Sequence, residues 1–178
     1  SAGPPSSSID LGRLVDFSVF ASSAVAATGA CEITGSVGVS PGTSVSGVYS
    51  VVVHTGASPA GVACAIDGLA AFQQGNDLAG QFEMGAEMGG VTFGPGVHTS
   101  SGSSGISLSV GSTVYLDADN DPTAVFIFRA ESLATSGTST IKLLNGARAD
   151  NVFWIIGLGS VELGGYGSLF IGNVLAYN

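Results

Sequence analysis

Positive charge is nearly missing from this chain. Four basic side chains (Arg13, Arg129, Lys142 and Arg148) stand against 13 acids in 178 residues, a net charge of −9. Phosphate recognition needs clustered Lys and Arg, and four scattered bases exclude it. Nucleic acid and anionic membrane surfaces are therefore not expected partners. Charged residues of both signs make up only 10%, against about a quarter in an average soluble domain. The wet surface must then be built from Ser, Thr, Asn, Gln and backbone, with the acidic balance favouring solubility.

Long apolar runs are missing too. The most apolar stretch, 152–158, falls far short of the roughly 18 residues that cross a bilayer, so no membrane insertion is expected. No charged-then-apolar leader opens the chain. Its first residues, Ser1-Ala2-Gly3-Pro4-Pro5-Ser6-Ser7-Ser8, read as a mature terminus or linker left after signal removal. A flexible arm over 1–8 and a secreted, extracellular protein are the expectation. Cysteine is limited to Cys31 and Cys64, 33 positions apart. In an exported protein such a pair is expected to bond; the alternative is two buried thiols. The signs of export favour the disulfide.

Catalytic constellations are missing as well. No Gly-x-Ser-x-Gly elbow, dinucleotide fingerprint or phosphate-cradling loop occurs. The two histidines, His54 and His98, lie 44 positions apart with no Cys or His cluster to make a zinc site. His98 is expected at a strand end. Asp117, Asp119 and Asp121 imitate the start of a calcium loop. Pro122 falls where that loop needs Gly, and Phe128 where it needs a bidentate Glu. The segment reads as a polar turn. Glu83 and Glu87 are a carboxylate pair of the kind glycosidases use, but here they read as solvated loop acids. No metal, no cofactor and no enzymatic activity are expected. A chain of this length buries roughly 70% of its unfolded surface and needs no metal framework.

What is present is β-structure. Short runs rich in Val, Ile, Phe and Thr, broken by Gly, Ser and Asn, fall at 33–39, 48–53, 106–110, 113–116, 124–128, 140–144, 152–156 and 161–163. Residues 33–39 put Ile33, Val37 and Val39 on one side and Thr34, Ser36 and Gly38 on the other; 106–110 alternate likewise. One segment, 65–80, has helical spacing through Ile66, Leu69, Phe72 and Ala79, with Asp67 as the start signal and Gly80 as the stop. Gly68 and Gly75 each weaken it by about 1 kcal/mol. From about residue 90 a strand–corner–strand cadence recurs. A solenoid, a sandwich and a barrel all fit that cadence.

A resemblance chooses among them. Ile9-Asp10-Leu11-Gly12 leads to Phe17-Ser18-Val19-Phe20-Ala21, then to Ile33-Thr34-Gly35-Ser36-Val37-Gly38-Val39-Ser40-Pro41. Gly89-Gly90-Val91-Thr92-Phe93-Gly94-Pro95-Gly96-Val97 and Ala124-Val125-Phe126-Ile127-Phe128 follow. Asn145-Gly146-Ala147-Arg148-Ala149-Asp150-Asn151-Val152-Phe153-Trp154 and Phe170-Ile171-Gly172-Asn173-Val174-Leu175-Ala176 complete the series. In this order they resemble the microbial ice-binding-protein superfamily. The resemblance implies a mainly β fold: a discontinuous right-handed β-solenoid (β-helix) over 9–178, one domain, with one long α-helix packed alongside. Ile127 and Phe128, then Phe153 and Trp154, are expected to stack as inward rungs, with a tight turn at Asn145-Gly146.

The resemblance also implies function. Family members present a flat Thr/Ser/Ala-rich face to ice; the outward candidates here are Thr34, Ser36, Thr138, Thr140, Ser160 and Ser168. Glu162, between Val161 and Leu163, and Lys142, after Thr140, depart from that pattern. Family members usually run a few dozen residues past the position of Asn178, so an open solenoid end is expected at that edge. Two readings follow. One is a secreted ice-binding protein whose partner is the ice surface. The other is an extracellular structural or adhesive subunit whose partner is another copy of itself, assembling into a homo-oligomer or filament by strand addition.

Overall fold

The computed structural model describes residues 9–55, 59–157, 159–164 and 166–177, with backbone alone at 13, 27–35, 48–51, 59–61 and 103. The expected arm at 1–8 lies outside these residues. In chain order the elements are β1 (Phe17–Ala21), β2 (Ala24–Val39), β3 (Ser44–Thr55), α1 (Pro59–Asp77), β4 (Phe82–Met84), β5 (Thr92–Phe93) and β6 (Gly96–Ser100). There follow β7 (Ile106–Leu108), β8 (Thr113–Asp117), β9 (Phe126–Ala130), β10 (Leu133–Thr135), β11 (Thr140–Leu144), β12 (Val152–Ile156), β13 (Val161–Gly164) and β14 (Asn173–Ala176).

Every strand pairing is parallel, and the pairings sort the strands into three faces of a coil. The first face stacks β4, β6, β9, β12, β14 and β1, then the last residues of β2 and β3. The second stacks β7, β10 and β13, then the opening residues of β2 and β3. The third stacks β5, β8 and β11. The solenoid is discontinuous: β1, from the start of the chain, lies against β14, from its end. β2 turns a corner, so one strand pairs with β13 at Ala26 and with β1 at Val37.

Period-two alternation decides what goes inside. Phe126, Phe128, Val152, Trp154, Ile106, Leu108, Leu133, Val114, Leu116 and Ile141 fill the interior of the coil, each 2% exposed or less. Burying such a side chain contributes about 1.5–3 kcal/mol. Ile127 and Phe153 point the other way. The expected inward stacking of both members of each pair is therefore corrected, because neighbours on a strand face opposite sides. Ile127, Phe153, Ile155, Val97 and Phe20 form a second cluster with Cys64 and Ala71 of α1 and with Ile9 and Leu14. The helix lies on the first face and covers it.

Inside the coil an aromatic ladder runs along the first face. His98 stacks on Phe128 at 5.2 Å, Phe128 on Trp154 at 4.4 Å, and Phe170 tilts against Trp154 at 5.2 Å. Stacked rings of this kind add about 0.5–1.5 kcal/mol beyond their area. Trp154 donates its indole N–H to Ile171 O at 2.9 Å. Gly172 adopts φ +114, and a Cβ there would sit 2.7 Å from that indole nitrogen. His98 sits inside β6 and is 5% exposed, not at a strand end as expected. The expected turn forms at Asn145 and Gly146, both at positive φ.

The helix begins at Pro59 and ends at Asp77, earlier at both ends than the 65–80 expected from spacing. Proline suits the first helical position, where its missing N–H costs nothing. Asp67 therefore lies mid-helix, against Gly12, and Gly80 beyond the helix, against Thr99. The two interior glycines have a packing reason. A Cβ on Gly68 would sit 2.8 Å from the Phe20 ring, and one on Gly75 2.7 Å from Ile155 Cδ1. The helix end is met by Arg129, whose guanidinium donates to Leu78 O at 2.7 Å, to Asn76 O, and to Thr99 Oγ1 at 3.1 Å. A cation there complements the helix dipole.

Candidate functional site

Three faces are candidates, and packing removes one. The first is covered by α1. The third is rough: Tyr115 and Lys142 stand beside each other on β8 and β11, with Asp117 opposite Leu144. Asp117 accepts from Asp119 N at 2.9 Å and Asn145 Nδ2 at 2.8 Å, and these bonds hold its carboxyl below the usual range. Asp121, bonded by Thr123 through hydroxyl and N–H, is lowered likewise. Asp117 and Asp121 thus serve as turn acceptors. Among the described residues no group of three or more His, Cys, Asp or Glu is placed to hold a metal ion.

The second face is different. Its inward residues are Ile106, Leu108, Leu133, Val25 and Leu163. Its outward residues are small. Register puts Ser107 beside Ala134, Ala134 beside Glu162, Glu162 beside Ala26, and Ala26 beside Ser46. A parallel file at the strand starts pairs Ala24 with Ser44. The same file holds Ser132, whose carbonyl accepts from Ile106 N, and Ser160, whose carbonyl accepts from Leu133 N. Ala24, Ala26, Ser44, Ser46 and Ser160 are exposed; Ser107, Ser132 and Ala134 are half-buried. Neighbours across strands repeat at about 4.8 Å, and outward positions along a strand at about 6.6 Å. Among the described residues the result is a grid of methyls and hydroxyls interrupted by one long side chain, Glu162.

One end of this face is finished by Glu87, bridged to Ser107. Its carboxylate accepts from Ser109 Oγ at 2.6 Å, Gly89 N at 2.9 Å, and Ser109 N and Ser107 Oγ at 3.2 Å. Partial burial works to raise the carboxyl, but the bonds from Ser109, Gly89 and Ser107 outweigh it and hold it below the ordinary range. Glu83 is exposed on β4.

The six residues singled out from sequence are not brought together. Thr34 lies on β2, its side chain outside the described residues. Ser36 is half-buried where β2 reaches the first face, its N–H bonded to Asp16 O at 2.9 Å. Thr138 sits in a corner at φ +60, its hydroxyl on Gly137 O at 2.7 Å. Thr140 belongs to the third face, beside Thr113. Ser168 lies in a corner, its hydroxyl 3.0 Å from Gly164 O and 3.2 Å from Ser136 O. Of the candidates whose side chains are described, only Ser160 stands on the second face. The two departures separate in the same way: Lys142 is on the third face, Glu162 on the second.

The residues missed are Ala24, Ala26, Ser44, Ser46, Ser107, Ser132 and Ala134. Their signal was small–apolar alternation, as in Ser44-Val45-Ser46 and Ser107-Leu108. Parity alone does not say which face a strand joins. The expected Cys31–Cys64 bond falls on the Cys31 side chain, outside the described residues; Cys64, on the packed side of α1, is buried.

The family model for Ice-binding-like proteins matches residues 19–178. A protein of Nostoc sp. (strain HG1) named Ice-binding protein is 38% identical over 176 residues, covering 93% of this chain and 61% of the relative. Ice-binding protein 1 of Shewanella frigidimarina (strain NCIMB 400) is 36% identical over 94 residues, 52% of this chain and 10% of its own length. The chain thus spans less than two thirds of either relative. A crystal structure of an ice-binding protein from Antarctomyces psychrotrophicus superposes with a TM-score of 0.76 at 33% identity, covering 94% of this chain and 82% of that one. One from an Antarctic biological consortium superposes at 0.77 and 28% identity, covering 96% and 79%.

Proposed function

The chain belongs to the ice-binding-like family, and from that premise we propose that it is a secreted ice-binding protein whose second solenoid face lies against the crystal. One observation carries the choice of face: the outward grid of Ser107, Ala134, Ala26, Ser46 and their neighbours, uncovered by the helix and, among the described residues, without a bulky ring. Ice offers no charge and no pocket. Adsorption must come from many weak contacts made at once, by methyls that exclude water and hydroxyls that order it. A parallel sheet backed by a close-packed interior holds such groups at fixed spacing. Ser160 joins the grid in this proposal. A Cys31–Cys64 disulfide belongs to it as well, and thiol titration of the denatured, unreduced protein tests that bond.

The test of function is thermal hysteresis and ice shaping by the purified chain. Ala134→Tyr raises a ring from the middle of the grid and is expected to remove most activity. Lys142→Ala, on the third face, is expected to leave it unchanged. Full activity in folded A134Y sinks the choice of face, and absence of activity both in the unaltered chain and in variants with Glu162 replaced sinks the proposal.

A second reading, assembly with another copy of the chain, has its own observation. β3 pairs with β2 and with no further strand among the described residues, and Val52 and Val53 on it are 42% and 45% exposed. A long edge with apolar side chains is a template for strand addition.

A further inference from the structure

The second face has one discordant residue. Glu162 is exposed, lies mid-strand on β13, and has Ala134 on one side and Ala26 on the other. Its Oε1 lies 3.4 Å from Ser160 Oγ, on the same face. Beyond Ala134 comes Ser107, and beyond Ala26 comes Ser46. Glu162 therefore divides an otherwise continuous file of small side chains into two short patches. The fold does not require it. The interior of this rung is filled by Leu163, buried on the opposite side of the strand, and Thr suits an outward strand position better than Glu.

We propose that Glu162 sets the strength of ice adsorption in this chain, by dividing the second face into two patches that cannot lie flat on ice together. The proposal rests on the ice-binding reading above. Two physical effects act in the same direction. The side chain reaches beyond the plane defined by alanine and serine, so it holds the surface away from one strip of the grid. Its carboxylate keeps a tightly held water shell, and stripping or rearranging that shell is costly. Well-matched binding surfaces are depleted of charge at their centres for this reason. Many-site adsorption is more sensitive to a central interruption than to a peripheral one, because the contacts on both sides must form simultaneously.

The experiment compares the unaltered chain with E162A, E162T and E162Q, each checked for an unchanged melting temperature and circular dichroism. Thermal hysteresis at equal concentration is the readout. E162A and E162T are expected to raise it several-fold. E162Q keeps the reach and removes the charge, and is expected to raise it less; if it matches E162A, charge alone is the interruption and the proposal stands. Adding A134Y to E162A is expected to remove the gain, which places the effect on this face. An active unaltered chain with folded E162A and E162T no more active than it overturns the role of Glu162 and leaves the ice-binding reading intact. Absence of hysteresis in the unaltered chain and in all three variants overturns both.

Discussion

Among single residues, His98 has the most exposed consequence. It is a polar ring inside an apolar ladder, between Phe82 and Phe128, with Phe93 edge-on and Nε2 2.9 Å from Gly94 O. Burial lowers its proton affinity, with the Gly94 carbonyl working against that. The unfolded chain takes up the proton first as pH falls below about 6.5. Stability is therefore full above that value and falls as acidification proceeds toward the depressed native value. Melting temperature measured against pH should show this loss, and His98→Phe should flatten it; an unchanged acid limb in H98F would refute the assignment. Glu87, also depressed, acts only at lower pH, in the carboxylate range, so the two limbs separate. From sequence His98 was a strand-end residue, because nothing in a lone His-Thr pair reveals that the neighbouring rungs offer it aromatic rings.

For the elements, the helix is the informative case. Its glycines look like defects when propensity is counted alone. Packed on the first face they are what lets the helix approach Phe20 and Ile155. Gly75→Ala would gain roughly 1 kcal/mol of propensity and meet Ile155 Cδ1 and Cγ1 at 2.7 Å and Ile9 Cδ1 at 3.1 Å. Overpacking costs about 1–3 kcal/mol, so G75A is expected to be destabilised by about 1 kcal/mol net in chemical denaturation, with Ile155→Val recovering most of it. A stabilised G75A would mean the helix lifts off without cost. Strands were more legible than the helix. The runs at 113–116, 140–144, 152–156 and 161–163 fall on observed strands, and the run at 106–110 on one that ends at Leu108, because each carries its own alternation. β4, β5 and β10 were not seen, being two or three residues long, too short for a period to register.

Across the whole molecule, two surfaces carry the proposals: the small-residue face and the β3 edge. They make separable predictions. If the edge recruits a second copy, light scattering should show mass rising with concentration, and Val53→Lys should return the chain to monomer, since a charge on an edge strand blocks pairing. Mass independent of concentration removes that reading without touching the ice face.

Composition gave no reason to expect phosphate recognition, and the ordered series of family-like segments pointed to the solenoid with its companion helix. Alternation placed Val37 and Val39, and Ile106 and Leu108, on the buried side, because a strand reports its own two sides; Val110, which the same alternation put with Ile106 and Leu108, lies past the end of β7 and is 73% exposed. Tertiary structure alone decided which strands share a face. Ser107, Ala134, Glu162, Ala26 and Ser46 come from five strands and from distant parts of the chain, joined by the placement of β1 and β2 beyond β14 and β13. No local pattern encodes that juxtaposition; parallel pairing between distant segments creates it. For the same reason Thr138, Thr140 and Ser168, close in kind to the grid residues, lie on other surfaces, and Glu162 became the one acid at the centre of a flat face.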